Sequence, residues 1–435
     1  MKTKFRQAIN FGFGMARTQT AKDSLISLIG SGLSGFLALV FTAVVARILS
    51  PEKFGQFSTV INYILLIAAL NDLGINQSLV YFMGQTKGRE KKNWAKLILK
   101  MVLGLSLIFA SLGAFFFWFL LSSLWQIDES LGLLIFISIV ISGLYFFFVY
   151  LFQAFKSFFK KALFENIFSI TRMVFLGGVL LFLDLNVALS ILAVIIAELL
   201  SIVFGWLASP VKLARAFSVK LKTKKIKKLL GFSKWLGLNN LFIQTYGKID
   251  ILMLAWLASS FTTGIYSSAA RLMLAFPVII SSFSSVVAPR FASFSDPLSN
   301  LAYFKKVFLA SLGIAVSMGA SMMIAARPLI YAVYGEAYLS SVPAFRILTV
   351  AFLPLVLSIP VTNSLIYFFK KPFAVSFISG IQLVVVVGLN LFFIPRFSSL
   401  GPAFSLLTAN LSGLILGYLF FVKELKTAKQ SVINN

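Results

Sequence analysis

Cysteine and histidine are both absent from the 435 residues, and acidic side chains number only 13. These absences exclude disulfides, thiolate nucleophiles, imidazole bases and any metal centre built on either ligand. No catalytic residue, metal site or cofactor is expected. Charge of any sign is scarce, at 12% of residues, where soluble domains carry about a quarter. No long polar segment could form a separate water-soluble domain. No Gly-x-x-x-x-Gly-Lys-Ser/Thr motif is present, so ATP hydrolysis by this chain is not expected. No cleavable signal peptide is expected either, because the first 23 residues are basic and broken by polar side chains.

What is abundant is apolar: 59% of residues, 48 of them Phe, with a mean hydropathy of +0.94. A membrane-spanning helix needs about 20 apolar residues. Twelve stretches qualify: 24–49, 54–84, 94–124, 130–155, 162–183, 187–209, 232–258, 264–289, 302–326, 341–369, 373–394 and 400–422. The predicted class is an all-α polytopic membrane protein.

The 39 basic residues against 13 acidic ones give a net charge of +26. In a soluble chain that excess would point to nucleic acid. Here the cations sit in the gaps between apolar stretches, so no nucleic acid is expected. Alternating the twelve spans places 30 basic residues on one side and 4 on the other. The loop-charge rule then puts both termini in the cytoplasm of a cell inner (plasma) membrane.

The densest basic run, Lys212 to Lys234, lies between spans six and seven and divides the chain into two six-span halves. Two local matches relate them. Phe158-Phe159-Lys160-Lys161 recurs as Phe368-Phe369-Lys370-Lys371. The turn from Ser50 to Ser58 aligns with Ser259 to Ser267, setting Gly55 on Gly264 and Phe57 on Tyr266. An even span number makes the repeat parallel, and such repeats place a substrate site between their halves. The expected organisation is a tail (1–23), an N-lobe (24–210), a basic linker (211–231), a C-lobe (232–422) and a second tail (423–435), with both tails cytoplasmic.

The stretch Ala46-Arg47-Ile48-Leu49-Ser50-Pro51-Glu52-Lys53-Phe54-Gly55-Gln56-Phe57, followed by Asp72-Leu73-Gly74, resembles the opening of polysaccharide (O-antigen-type) flippases. These belong to the multidrug/oligosaccharidyl-lipid/polysaccharide exporter superfamily. Lys248-Ile249-Asp250, Gly264-Ile265-Tyr266 and Ala269-Ala270-Arg271-Leu272 resemble it again in the second half. The resemblance implies two six-helix lobes around a central cavity, working by alternating access. It implies movement of an undecaprenyl-pyrophosphate-type oligosaccharide lipid between leaflets. The lipid-linked substrate, membrane lipids and other polysaccharide-assembly proteins are the implied partners. A multidrug cation antiporter and a membrane enzyme of the same pathway are the alternatives.

Charges at membrane depth are costly and face protein or water. Arg172 and Glu198 each stand 13 residues from the turn at Leu185, and Asp250 and Arg271 flank the turn at Ser260 almost equally. Hairpin spacing thus predicts two intramembrane ion pairs. They either hold a hairpin together or offer their arginines to phosphate, for which a guanidinium fork is suited. Lys248 adds a third cation, and Asn240, Gln244 and Lys248 recur at i, i+4 and i+8 as one polar stripe. The candidate cavity residues are therefore Arg172, Lys248, Arg271, Asn240 and Gln244. Asp72, Glu198 and Asp250 are the acidic partners. Asp72 could bind a coupling H+ or Na+, or make a structural bond to nearby backbone. Arg47 is read as reaching for lipid headgroups. Gly30-Ser31-Gly32-Leu33-Ser34-Gly35 matches the dinucleotide fingerprint but lacks the preceding strand. It is read as a segment that lets helices pack closely or lets this helix bend.

Overall fold

The computed structural model describes residues 19–213 and 223–433. The expectations for the first tail up to residue 18, for linker residues 214–222 and for residues 434–435 fall outside them. No strand occurs among the described residues. Hydrocarbon offers the backbone no partner, so each spanning segment closes its hydrogen bonds within itself as a helix.

The main helices are α1 (Gln19–Ile48), α2 (Pro51–Asp72), α3 (Ile75–Gln85), α4 (Gly88–Phe116), α5 (Gly132–Ala154), α6 (Phe158–Phe182) and α7 (Val187–Ala208). The series continues with α8 (Thr223–Tyr246), α9 (Ile249–Leu257), α10 (Ser260–Leu272), α11 (Ala275–Ala292), α12 (Pro297–Tyr334), α13 (Val342–Leu357), α14 (Pro372–Phe397) and α15 (Gly401–Ile433). Among the described residues, ten stretches are long and apolar enough to cross a membrane. The last of these, Pro372–Ala428, holds both α14 and α15. The segment α8–α9 is too polar to be counted by composition but has spanning length. Twelve crossings result. Large apolar side chains such as Phe182, Leu207 and Ile324 are 83%, 79% and 81% exposed. Water would not tolerate such a surface, whereas lipid covers it.

Local chemistry starts and stops these helices. Asn186 accepts from the Leu189 N–H at the head of α7, and Asp296 accepts from the Ser299 N–H at the head of α12. Pro297 opens α12, where its missing N–H costs nothing. Those amide donors hold the exposed Asp296 carboxyl below the ordinary range. Gly335, with φ of 90°, ends α12. The carbonyls of Ala332 and Val333 left free there accept from the Arg47 guanidinium. Arg47 is therefore a helix-terminus cap and not a headgroup anchor, as its place near the interface suggests. Charge-assisted capping of a helix C-terminus also suits the macrodipole.

The helix starts display the duplication. Pro51 and Ser260 begin helices 209 positions apart, as do Gly88 and Pro297. Gly132 and Val342 differ by 210, then Phe158 and Pro372, and Val187 and Gly401, by 214. Lys156 and Lys370, also 214 apart, both hold left-handed backbone, with φ of 56° and 55°. The Phe-Phe-Lys-Lys match belongs to a different register. Phe158 opens α6, whereas Phe368 ends the preceding helical segment and Lys371 caps α14. The repeat is real, but that tetrapeptide is not its marker.

Two compact units gather the described chain. The first holds the chain to Val45, Ile64–Ser122 and Asp128–Leu241. The second holds Ala46–Tyr63, Ser123–Ile127 and the chain from Phe242 onward. The division cuts across chain order, because the turn joining α1 and α2 packs with the second half. In the first unit, Gly30 meets Ala162 of α6, and its carbonyl accepts from Asn166. Ser34 bonds Ser169 at 2.8 Å. At Gly30 the glycine-rich segment is thus a close helix contact, while Gly32 and Gly35 face open space. Gly143 of α5 packs on Ser106 of α4 and Asn71 of α2, with no room for a side chain. Gly143→Val should cost about 1–3 kcal/mol by overpacking. A lowered thermal transition of the detergent-solubilised protein would register it.

Candidate functional site

Each unit carries buried charge. In the first, Arg172 lies on α6 and is 8% exposed. Its guanidinium stacks over the rings of Phe41 and Phe168, 4.9 and 4.7 Å from their centroids. Glu198 of α7 accepts the Ser142 hydroxyl at 2.9 and 3.0 Å. The Glu198 carboxyl takes a hydroxyl and the Arg172 guanidinium takes two aromatic faces, and the two groups stand within electrostatic reach of one another. Equal depth fixes height in the bilayer, but the rotation of each helix decides which side chains meet.

Asp72 sits where the second span breaks. Leu73 and Gly74 adopt left-handed φ of 40° and 74°, and α3 begins at Ile75. The Asp72 carboxylate accepts the Asn76 N–H at 2.7 Å, serving a first-turn donor that the break leaves without a carbonyl. Gly237 of α8 abuts the Leu73 carbonyl so closely that a Cβ would overlap it. The Asp-Leu-Gly motif is in this sense a helix restart. Asp72→Asn should keep the cap and near-normal stability, while Asp72→Ala should lose about 1 kcal/mol, seen in thermal unfolding. Loss of transport in a stable Asp72→Asn protein would instead assign the carboxylate a role in ion coupling.

Among the described residues each unit has a cavity: one of about 500 Å3 beside Leu73 and Gly237 in the first has a lining that is almost wholly apolar, whereas the one in the second is lined by several polar side chains. Two spans of the second unit are interrupted, at Gly247-Lys248 between α8 and α9 and at Met273-Leu274 between α10 and α11. The second cavity, of about 330 Å3, lies against both breaks. Its polar wall is Asn62, Tyr246, Asp250, Tyr266, Arg271 and Asn410, and most of the remaining lining is aliphatic or aromatic. Asp250 stands in the first turn of α9 and Arg271 in the last turn of α10. Each charge thus meets the helix end that favours its sign. The Asp250 carboxylate also accepts the Tyr266 hydroxyl at 2.5 Å and the Ile251 N–H at 2.8 Å. Asp250 and Arg271 are thereby brought to one cavity, but the carboxylate is held by Tyr266 and not by the arginine.

Asn410 joins four helices around this wall. Its side-chain oxygen accepts from Tyr246 at 2.6 Å and Gln382 at 3.3 Å, and its amide donates to the Ala351 carbonyl at 2.8 Å. Lys248 and Gln244 satisfy one another, the ammonium donating to the Gln244 side chain and carbonyl. Neither lines the cavity, and nor does Asn240, which is half-buried in the first unit. The i, i+4 stripe therefore includes a local pair, and the cavity-facing Tyr246 lies about half a helix turn from Gln244. Among the described residues no cluster of acidic side chains could hold a metal ion.

Sequence reasoning singled out Arg271 and Asp250 but passed over Asn62, Tyr266 and Asn410. The signal for the first two lay in the 209-residue register. Phe41 corresponds to Asp250, Phe57 to Tyr266 and Asn62 to Arg271. Two phenylalanines in one copy stand at the positions of the hydrogen-bonded Asp–Tyr pair in the other. Asn410 carried the plainer signal of a buried amide at membrane depth.

Comparison with known proteins places these features. The family model described as "Polysaccharide biosynthesis protein" matches residues 20–295. The fold is similar to the lipid II flippase MurJ in an inward closed conformation, with a TM-score of 0.74 at 14% identity over 93% of this chain and 90% of that one. It is similar to an inward-facing multidrug resistance MATE family transporter of the MOP superfamily (0.70, 15%, 93% and 99%). A MOP superfamily transporter from Pyrococcus furiosus also matches (0.59, 16%, 93% and 95%). A comparison with curated proteins returns no match.

Proposed function

Because the chain belongs to the polysaccharide biosynthesis protein family, we propose that it is a flippase that moves lipid-linked oligosaccharide units from the inner to the outer leaflet. The implied carrier is of the undecaprenyl-pyrophosphate type, the membrane is the cell inner membrane, and both termini are cytoplasmic. The fold it shares with flippases and transporters supports translocation without bond making or breaking.

The observation that carries the substrate reading is Arg271 at the broken end of α10, in a cavity that pairs hydrogen-bonding groups with apolar walls. An arginine in a water-poor setting can grip a phosphate through two parallel donors. Tyr246, Tyr266 and Asn62 offer hydrogen bonds of the kind that sugar hydroxyls take. The half-helix ends supply partial charge beside the ligand, as discontinuous helices do in secondary transporters. Arg172, stacked on two rings, remains a candidate anion contact within the first unit.

Asp250 in the same cavity favours the rival reading, a multidrug cation antiporter. Its carboxylate already holds a hydroxyl and an amide donor, which leaves Arg271 as the charge still to be answered by a ligand.

Reconstituted protein should flip a fluorescent oligosaccharide-pyrophosphoryl polyprenol. Arg271→Gln should slow that flipping roughly 10- to 100-fold, the loss of one charge-assisted hydrogen-bonding group, and Arg271→Lys less. Full flipping by stable Arg271→Gln, or binding of a cationic dye in place of the anionic lipid, would overturn the reading.

A further inference from the structure

The stretch Ala46–Phe57 lies outside the cavity, yet it is densely bonded within the second unit. The Tyr338 hydroxyl donates to the Ala46 carbonyl at 2.8 Å and lies 3.4 Å from that of Leu49, at the end of α1. The Phe54 ring stands edge-on to Tyr338, with centroids 5.8 Å apart. Arg47 caps α12 through the Val333 and Ala332 carbonyls.

At the centre of this cluster α2 crosses α10 with backbone against backbone. A Cβ on Gly55 would overlap the Ser260 carbonyl oxygen, and a Cβ on Gly264 would overlap that of Pro51. Pro51 and Ser260 are repeat equivalents, and so are Gly55 and Gly264. The contact is therefore reciprocal: each copy offers the same glycine and the same carbonyl to the other. Such an isologous contact is lost on both sides at once when the helices part. It is also cheap to remake, because no side chain has to change rotamer. Two bare helix backbones meet through van der Waals contact and Cα–H groups facing carbonyls. The carbonyls that Arg47 and Tyr338 occupy are helix-end groups, which water can serve once the cluster opens.

The same segment reaches the cavity. Asn62 lies seven residues after Gly55 on α2, about 10 Å along the helix, and lines the cavity wall. Parting α2 from α10 at Gly55 would carry Asn62 away from that wall.

We propose that the Gly55–Gly264 crossing, pinned by Tyr338 and Arg47, is a latch that closes the cavity toward the Ser50–Pro51 face and must open during each transport cycle. This goes beyond the assignment of a substrate and rests on the proposed orientation, which puts the Ser50–Pro51 face outside; its labelling test needs no substrate.

The absence of cysteine makes a single reporter clean. Ala270→Cys places a thiol on a half-buried position of the cavity lining, six residues beyond Gly264 on α10. In intact cells a membrane-impermeant maleimide should label it slowly. Adding Tyr338→Phe removes one buried hydrogen bond without adding bulk, and should raise that rate roughly five- to tenfold. Adding Gly55→Leu or Gly264→Leu should wedge the crossing apart and raise the rate further, with transport lost. Unchanged labelling in Tyr338→Phe at normal abundance would overturn the proposal, even if the leucine variants fail to fold. So would a rise confined to inside-out vesicles, which would place the opening on the opposite face.

Discussion

Backbone groups at membrane depth must find their partners inside the protein, and this constraint organises the whole molecule. It forces the chain into helices and makes each interruption of a helix a special place. An interrupted helix sheds free amides at one end and free carbonyls at the other. Those groups need side chains, and the side chains that answer them are the rare polar ones. Asp72 answers the break at Leu73-Gly74, Asp250 the start of α9, and Arg47 the end of α12. The scarce charges of this sequence are therefore concentrated where regular structure stops.

The same reasoning explains why opposite charges at equal depth also take neutral partners. A buried ion pair must repay the desolvation of both members, and it does so only with excellent geometry. Neutral groups share that task here. Arg172 lies between two aromatic faces, Glu198 takes a serine hydroxyl, and Asp250 takes a tyrosine hydroxyl and a helix N-terminus. Arg271 stands at a helix C-terminus facing a cavity. A cation stabilised by a dipole end remains open to a ligand in a way that a salt-bridged one does not.

Duplication supplied the frame on which the two copies diverged. The hairpins α1–α2 and α8–α11 share a register of 209 residues, yet α1 runs unbroken from Gln19 to Ile48 while its counterpart breaks at Gly247-Lys248. Where the first copy has Phe41 and Phe57, the second has Asp250 and Tyr266, which line a cavity with a polar wall. Where the copies kept the same residues, at Gly55 and Gly264, they pack on one another. Identity was retained at the crossing and lost at the site, because a reciprocal contact needs two equal partners and a ligand site does not.

The sequence by itself determined the membrane class, the twelve crossings and the parallel repeat. Each follows from quantities that lie along the chain: apolar run length, loop charge and register. It also marked Asp250 and Arg271 as charges that must face protein. Only the tertiary structure decided what those charges face. It assigned Tyr266 to Asp250 and Ser142 to Glu198, made Arg47 a helix cap, moved the stripe of Lys248 and Gln244 off the cavity, and brought Asn62 and Asn410 onto it. A linear pattern gives depth in a bilayer, one coordinate of three. Helix rotation and the positions of breaks supply the others, and they are set by packing between segments far apart in the chain.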